Sequence, residues 1–121
     1  QQGADAAIAL LKKPGTRVIQ VAGNDKAPGG KLSVYWNAQS KEVAVEVGSL
    51  PPLPNDQQYQ LWSLVDGKPI DAGVFEQAPA TGQIQRLNRA IDAADTFAVT
   101  IERRGGSPTP TLSALIALGK V

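Results

Sequence analysis

The chain contains no cysteine, no histidine and no methionine. Without cysteine there is no disulfide framework, no thiolate nucleophile and no thiolate zinc site. That absence leaves the compartment open, because many domains outside the cytoplasm also lack cysteine. Without histidine there is no Ser-His-Asp triad and no imidazole general base. Apolar runs are short: the longest candidate, Leu112 to Leu118, is interrupted by Ser113 and falls well below the ~18 residues that span a bilayer. Charge of one sign is also missing. Twelve basic residues face eleven acidic ones, scattered along the chain, with doublets at Lys12-Lys13 and Arg103-Arg104. A nucleic-acid partner is therefore not expected. Gly29-Gly30 and Gly105-Gly106 stand between alternating runs and read as turns, not as phosphate-cradling loops. The expectation is a protein with no catalytic residues, no cofactor and no metal site, hence not an enzyme.

What is present describes one folded domain. The length of 121 residues suits a single core, and the 42% of apolar residues fall in regular patterns. Residues 4–13 have helix propensity, with Asp5 early and Lys12 and Lys13 late, before Pro14-Gly15 ends the segment. Period two then takes over. Arg17 to Val21 reads as a strand. In Lys31 to Asn37, Leu32, Val34 and Trp36 share a face; in Glu42 to Val47 the three valines do. Ser49 to Pro54 is too rich in proline to pair and reads as an extended crossover between two sheets. Tyr59 to Val65 carries large apolar groups on both faces, and Asp66-Gly67 predicts a tight hairpin turn. The returning strand is expected to place Ile70, Ala72 and Val74 on one face. Residues 77–83 read as a loop, Gln83 to Leu87 as a short strand, and Asn88 to Ala94 as holding one helical turn. Thr96 to Glu102 alternates with Phe97, Val99 and Ile101 inward. Thr111 to Leu118 reads as the last strand, with Leu112, Ala114, Ile116 and Leu118 on one face. About eight short strands with regular turn signals predict an all-β fold, an antiparallel β-sandwich with a short N-terminal helix.

Candidate binding groups are few. Arg103, Arg104, Gly105 and Gly106 could form an anion-binding concavity from backbone N–H groups and guanidinium, set against the plainer reading of a strand-end turn with hydrated charges. Tyr35 faces away from Trp36 and is the ring expected to be exposed, whereas Trp36 and Trp62 are expected in the core. Asp66 with Asp71, and Asp92 with Asp95, read as turn and cap residues instead of an acid/base or calcium-binding set.

Taken in order, Leu50-Pro51-Pro52-Leu53-Pro54, Tyr59-Gln60-Leu61-Trp62, Asp66-Gly67-Lys68-Pro69 with Gly73-Val74-Phe75, Phe97 to Glu102, and Gly105-Gly106-Ser107-Pro108-Thr109 resemble the C-terminal domain of anti-sigma-K factors. The resemblance spans about residues 16–121 and suggests a division into a stem with a short helix at 1–15 and the β domain at 16–121. It implies a parent protein whose cytoplasmic N-terminal domain, missing here, holds a sigma factor, followed by one missing transmembrane helix and then this domain on the periplasmic or extracellular side. It implies control through regulated proteolysis and brings no catalytic residues; the expected partner is an envelope protease or an unknown envelope ligand. Gln1 stands where an initiator methionine would, in keeping with a longer parent chain. The competing expectation is a carbohydrate- or peptide-binding module using Tyr35. A glycosidase working through carboxylates such as Asp71 is the weakest reading, since no pair is spaced for it.

Overall fold

The computed structural model describes residues 8–76 and 84–121. Residues 8–12 are helical, with Leu10 fully buried and the Thr16 hydroxyl donating to the Leu10 carbonyl. Residues 4–7 of the expected helix, and the expected loop at 77–83, lie outside the described residues.

Pro14-Gly15 turns the chain into β1 (Thr16–Gly23), which pairs antiparallel with β2 (Lys31–Asn37), and β2 with β3 (Glu42–Ser49). Asn37 holds this corner together. Its side-chain oxygen accepts the Gln39 and Ser40 N–H groups, and its amide donates to Pro14 O and the Thr16 hydroxyl, so a residue only 2% exposed has its polar atoms satisfied. The proline-rich crossover carries the chain to β4 (Gln57–Val65), which forms a hairpin with β5 (Lys68–Phe75). Asp66 and Gly67 both have positive φ (52° and 77°), as a two-residue hairpin of this twist requires. β6 (Ile84–Arg86) pairs with β3, β7 (Thr96–Arg103) with β4, and β8 (Leu115–Lys120) with both β7 and β1.

The fold is all-β and antiparallel with eight strands among the described residues, as the alternation predicts. Its two layers, however, belong to one continuous sheet of order β5-β4-β7-β8-β1-β2-β3-β6. β8 bridges the halves that the sequence suggested were separate sheets, and the sheet curls over a shared core. Trp36 of β2 and Phe97 of β7, three places apart in the order, meet edge to face at 5.8 Å. The two edges also approach each other: the Glu76 N–H donates to the Gln85 side chain, whose amide returns a bond to Glu76 O. Curling brings the edges together instead of leaving them as open templates.

Three local expectations are corrected. In β5 the register slips between Leu61 and Trp62, leaving Ala72 as an extra residue beside Gly73 at φ 109°. This bulge changes the parity of the strand, so Phe75 points inward and stacks on Tyr59, while Ile70 is exposed. Residues 88–94 hold no helical turn. Their backbone is engaged elsewhere: the Ile91 N–H donates to Lys41 O, Ile91 O accepts the Trp36 indole N–H, and Ala93 O accepts the Ser63 hydroxyl. Finally, Leu112–Ala114 form a 3₁₀ turn with Leu112 exposed, and the last strand starts at Leu115. A second bulge, at Ile116 opposite Val99 and Thr100, lets both Ile116 and Ala117 enter the core.

Candidate functional site

On the inner face of β4 and β7, Tyr59, Leu61, Phe97 and Val99 join the apolar core. On the outer face the same two strands present Gln58 opposite Glu102, Gln60 opposite Thr100 and Trp62 opposite Ala98. Over this outer face runs a strap, residues 104–114, and three side chains hold it down. Gln58 Oε1 accepts the Gly105 N–H at 2.8 Å. Gln60 pairs with Ser107 as a strand would: its Oε1 accepts the Ser107 N–H (2.9 Å) and its Nε2 donates to Ser107 O (3.1 Å) and to Asp71 Oδ1 (2.9 Å). Glu102 accepts both the Thr111 N–H and the Thr111 hydroxyl at 2.8 Å.

Beneath the strap lies a directed relay. The Trp62 indole N–H, which can only donate, bonds to the Thr100 oxygen at 2.8 Å. The single Thr100 proton is then given to Glu102 Oε2 at 2.6 Å. Glu102 is 4% exposed and has no cationic partner among the described residues. Burial raises its pKa, but hydrogen bonds from Thr100, Thr111 and Ser107 outweigh that and hold the carboxylate below its usual range. Gly106 completes the closure. Its φ is 91°, and a Cβ there would come within 3.0 Å of Gln60 Oε1 and Val74 Cγ1.

The residues singled out from sequence do not form one site. Gly105 gives its N–H to Gln58 of β4 and Gly106 gives its own to Arg103 O, so the donors expected to line an anion concavity are already taken up, one by the neighbouring strand and one within the turn. The Arg103 Nε donates to Gly106 O. Arg104 fastens the base of the strap, giving Nε to Asn55 O (2.5 Å), its own N–H to Asp56 O (2.8 Å) and Nη1 to Glu76 (3.1 Å). Arg104 in turn lowers the Glu76 pKa, helped by Gln58. The plainer reading of Arg103 to Gly106 as a strand-end turn therefore describes the geometry. Tyr35 sits on the outer face of β2, away from the strap and half-buried, not as an open ring. Its hydroxyl donates to Glu46 Oε1 at 2.7 Å, and burial together with this bond pushes its pKa up to about 12. Trp36, Tyr59 and Trp62 are all buried, as expected for the tryptophans, so these rings make no platform.

The seam between the sheet edges carries two cavities, one of about 340 Å3 bordered by Asp71, Gly73, Leu87 and Arg89, and one of about 480 Å3 bordered by Ser40, Lys41 and Ala90. Arg86, Asn88 and Arg89 border both. The charges here are paired: Arg89 with Asp71 (3.0 Å), Arg86 with Glu42 (3.0 Å), and Lys13 with the same Glu42. Lys13 foremost, then Ser40, and less strongly Arg86, lower the Glu42 pKa to about 2 against the opposing effect of burial. Glu42 thus ties the N-terminal segment to β3 and β6. Among the described residues no group of His, Cys, Asp or Glu is arranged to hold a metal ion.

Residues 1–115 match the family described as "Anti-sigma-K factor rskA, C-terminal". The chain belongs to this family. An uncharacterized protein in the phr 5' region of Streptomyces griseus is 32% identical over 78 residues, which cover 64% of this chain and 32% of that relative. The chain therefore matches about a third of that relative's length. No solved structure matches the chain. The anti-sigma-K resemblance and the strap are the same residues seen two ways. The Tyr-Gln-Leu-Trp block supplies Gln60 and Trp62, the Phe97-to-Glu102 block supplies Thr100 and Glu102, and the Gly-Gly-Ser-Pro block supplies the strap they hold. These blocks stand out in the sequence, but no motif marks Gln60, Thr100, Glu102 and Thr111 as a unit. The signal was available: Gln60, Thr100 and Glu102 are polar residues at one phase of otherwise apolar strands.

Proposed function

We propose that this domain is the extracytoplasmic regulatory module of a membrane-anchored anti-sigma factor, and that it controls sigma-factor-dependent transcription by governing regulated proteolysis of its parent. Residues 1–15 are the membrane-proximal stem, the β domain shields that stem from an envelope protease, and the sigma factor is held by a separate cytoplasmic domain. Family membership supports the anti-sigma role. The observation that carries the regulatory part is the strap: a segment fixed over the sheet by directed polar bonds, whose release would leave the apolar core in place. Such an element opens locally at lower cost than the whole domain unfolds, and a ligand or protease that favours its open form shifts its population.

Deleting residues 16–121 from the full-length protein tests the reading. Cleavage that becomes constitutive, with raised target-gene expression, is the expected result. Cleavage and expression that both stay at the parental level would rule it out.

A further inference from the structure

The near-neutral chain is not electrostatically even along the barrel axis. Register places the start of β1, the end of β2, the start of β3 and the starts of β5 and β7 at one end. Backbone bonds tie the loops there into one surface: the Thr16 N–H to Lys13 O, Ile91 N–H to Lys41 O, Asp95 N–H to Leu64 O, and Val121 N–H to Asp95 O. Helical residues 8–12 enter at this same end. Lys13, Lys41, Arg86 and Arg89 lie here in ion pairs with Glu42, Asp92 and Asp71. Four more cations, Lys12, Arg17, Lys68 and Lys120, are exposed and have no carboxylate partner among the described residues. Against them stand two further carboxylates, Asp66 and Asp95. At the opposite end, Lys26, Lys31, Arg103 and Arg104 face five carboxylates, Asp25, Glu46, Asp56, Glu76 and Glu102. Among the described residues, one end is thus basic and the other slightly acidic. Ile8 and Leu11, 47% and 37% exposed on the entering helix, add apolar side chains to the basic end.

We propose that this end is a docking surface for an anionic lipid bilayer, which seats the domain on the membrane with the slightly acidic end and the base of the strap directed outward. The inference rests on the membrane-anchored reading above and specifies the orientation of the domain. Its chemistry is that of a peripheral basic patch. Unpaired Lys and Arg near an anionic surface each strengthen binding by about fivefold, and exposed Ile and Leu insert at the headgroup boundary. The patch by itself is weak, which suits a domain already confined near the bilayer by a tether, where effective concentration replaces affinity.

The 121-residue chain should co-sediment with vesicles containing phosphatidylglycerol and not with vesicles of phosphatidylcholine alone. Raising salt to about 0.5 M should release it, since screening shortens the range of the attraction to a few ångströms. Lys12→Glu with Lys68→Glu and Lys120→Glu should lower partitioning by at least about a hundredfold. Lys26→Glu with Lys31→Glu, at the opposite end, should lower it by less than about threefold. Circular dichroism checks that both variants remain folded, and Leu11→Ser supplies a milder test of the apolar part. Absence of binding to anionic vesicles at low salt overturns the proposal. So does equal loss in the two charge variants, or binding to a soluble sulfated polysaccharide with none to vesicles. Any of these leaves the proteolysis reading standing, because that is measured by cleavage of the full-length protein.

Discussion

The two faces of β4 and β7 are built from the same strands but on different physics. Inside, Tyr59, Leu61, Phe97 and Val99 are fully buried among apolar neighbours. Their attraction is non-directional and scales with area removed from water. Outside, Gln60, Trp62, Thr100 and Glu102 are equally buried, yet each is fixed by bonds with one donor and one acceptor. The inner face can repack around a change of shape. The outer face cannot, because a donor left without its acceptor carries the full desolvation penalty. The comparison teaches that the stability of this domain and the closure of its strap are separable. The chain carries a reporter for each: Trp36 packs in the core against Phe97, and Trp62 lies under the strap.

The largest effect should come from the inner face. Phe97→Ala removes a fully buried ring and should cost about 3–5 kcal/mol of global stability. In denaturant titrations, the fluorescence of Trp36 and of Trp62 should shift together. If Trp62 alone responds, the two faces are not divided as described. Glu102→Ala should rank next. It removes the acceptor for Thr100 and for both Thr111 donors, at about 2–3 kcal/mol, but the loss should be local. Hydrogen exchange at the Gly105, Ser107 and Thr111 amides should accelerate while that at Val99 and Leu61 stays slow. Gly106→Ala belongs just below, at about 1–3 kcal/mol, because it forces a left-handed backbone and crowds Gln60. It should reproduce the exchange pattern of Glu102→Ala without altering any charge, which separates opening of the strap from loss of the carboxylate.

Legibility in the sequence followed the same division. The inner face is written in period two, so the strands and most of their inward residues could be read directly, including the hairpin at Asp66-Gly67. It failed where one inserted residue reverses the parity. Nothing in Ile70-Asp71-Ala72-Gly73-Val74-Phe75 except the glycine marks the bulge that sends Phe75 inward. The 3₁₀ turn at Leu112–Ala114 was hidden in the same way, since its apolar residues mimic a strand. The outer face was legible only as composition. Polar residues in a strand read as solvent-facing, and the knowledge that a distant strap covers them depends on strand order, which local pattern does not contain. The curled single sheet was unreadable for that reason too, because β8 joins two halves that look independent along the chain. For Arg103 to Gly106, the residue types are those of an anion site, but the donors are used within the turn and by β4 and the segment before it.

Acid should weaken the pairs that hold the N-terminal segment, at smaller cost than the substitutions above because water screens the half-exposed Lys13. Glu42 has a folded pKa of about 2, well below the value of about 4.3 for an unfolded glutamate. A group with a depressed folded pKa stabilises the fold fully above its unfolded pKa and loses that contribution as pH falls toward the folded one. The bond from Lys13, and with it the seating of residues 8–12, should therefore weaken between about pH 4.5 and 2. Glu42→Gln should flatten the pH dependence of stability in this window while leaving the strap amides protected at pH 7. Glu102 titrates with the same sign, since its folded pKa is also lowered, so the Glu102→Gln variant should flatten the acid response as read by Trp62.

Tyr35 closes the ranking, because its bond resembles that of Trp62 in kind but not in surroundings. Its hydroxyl gives a hydrogen bond to Glu46 of β3, a half-buried carboxylate that water can also reach. In Tyr35→Phe the released carboxylate can be hydrated, so the loss should be at most about 1 kcal/mol, whereas buried Glu102 would have no such substitute. A loss as large as that of Glu102→Ala would mean that the outer face of β2 is as sealed as the strap. Burial, not the strap, would then be what separates the two faces.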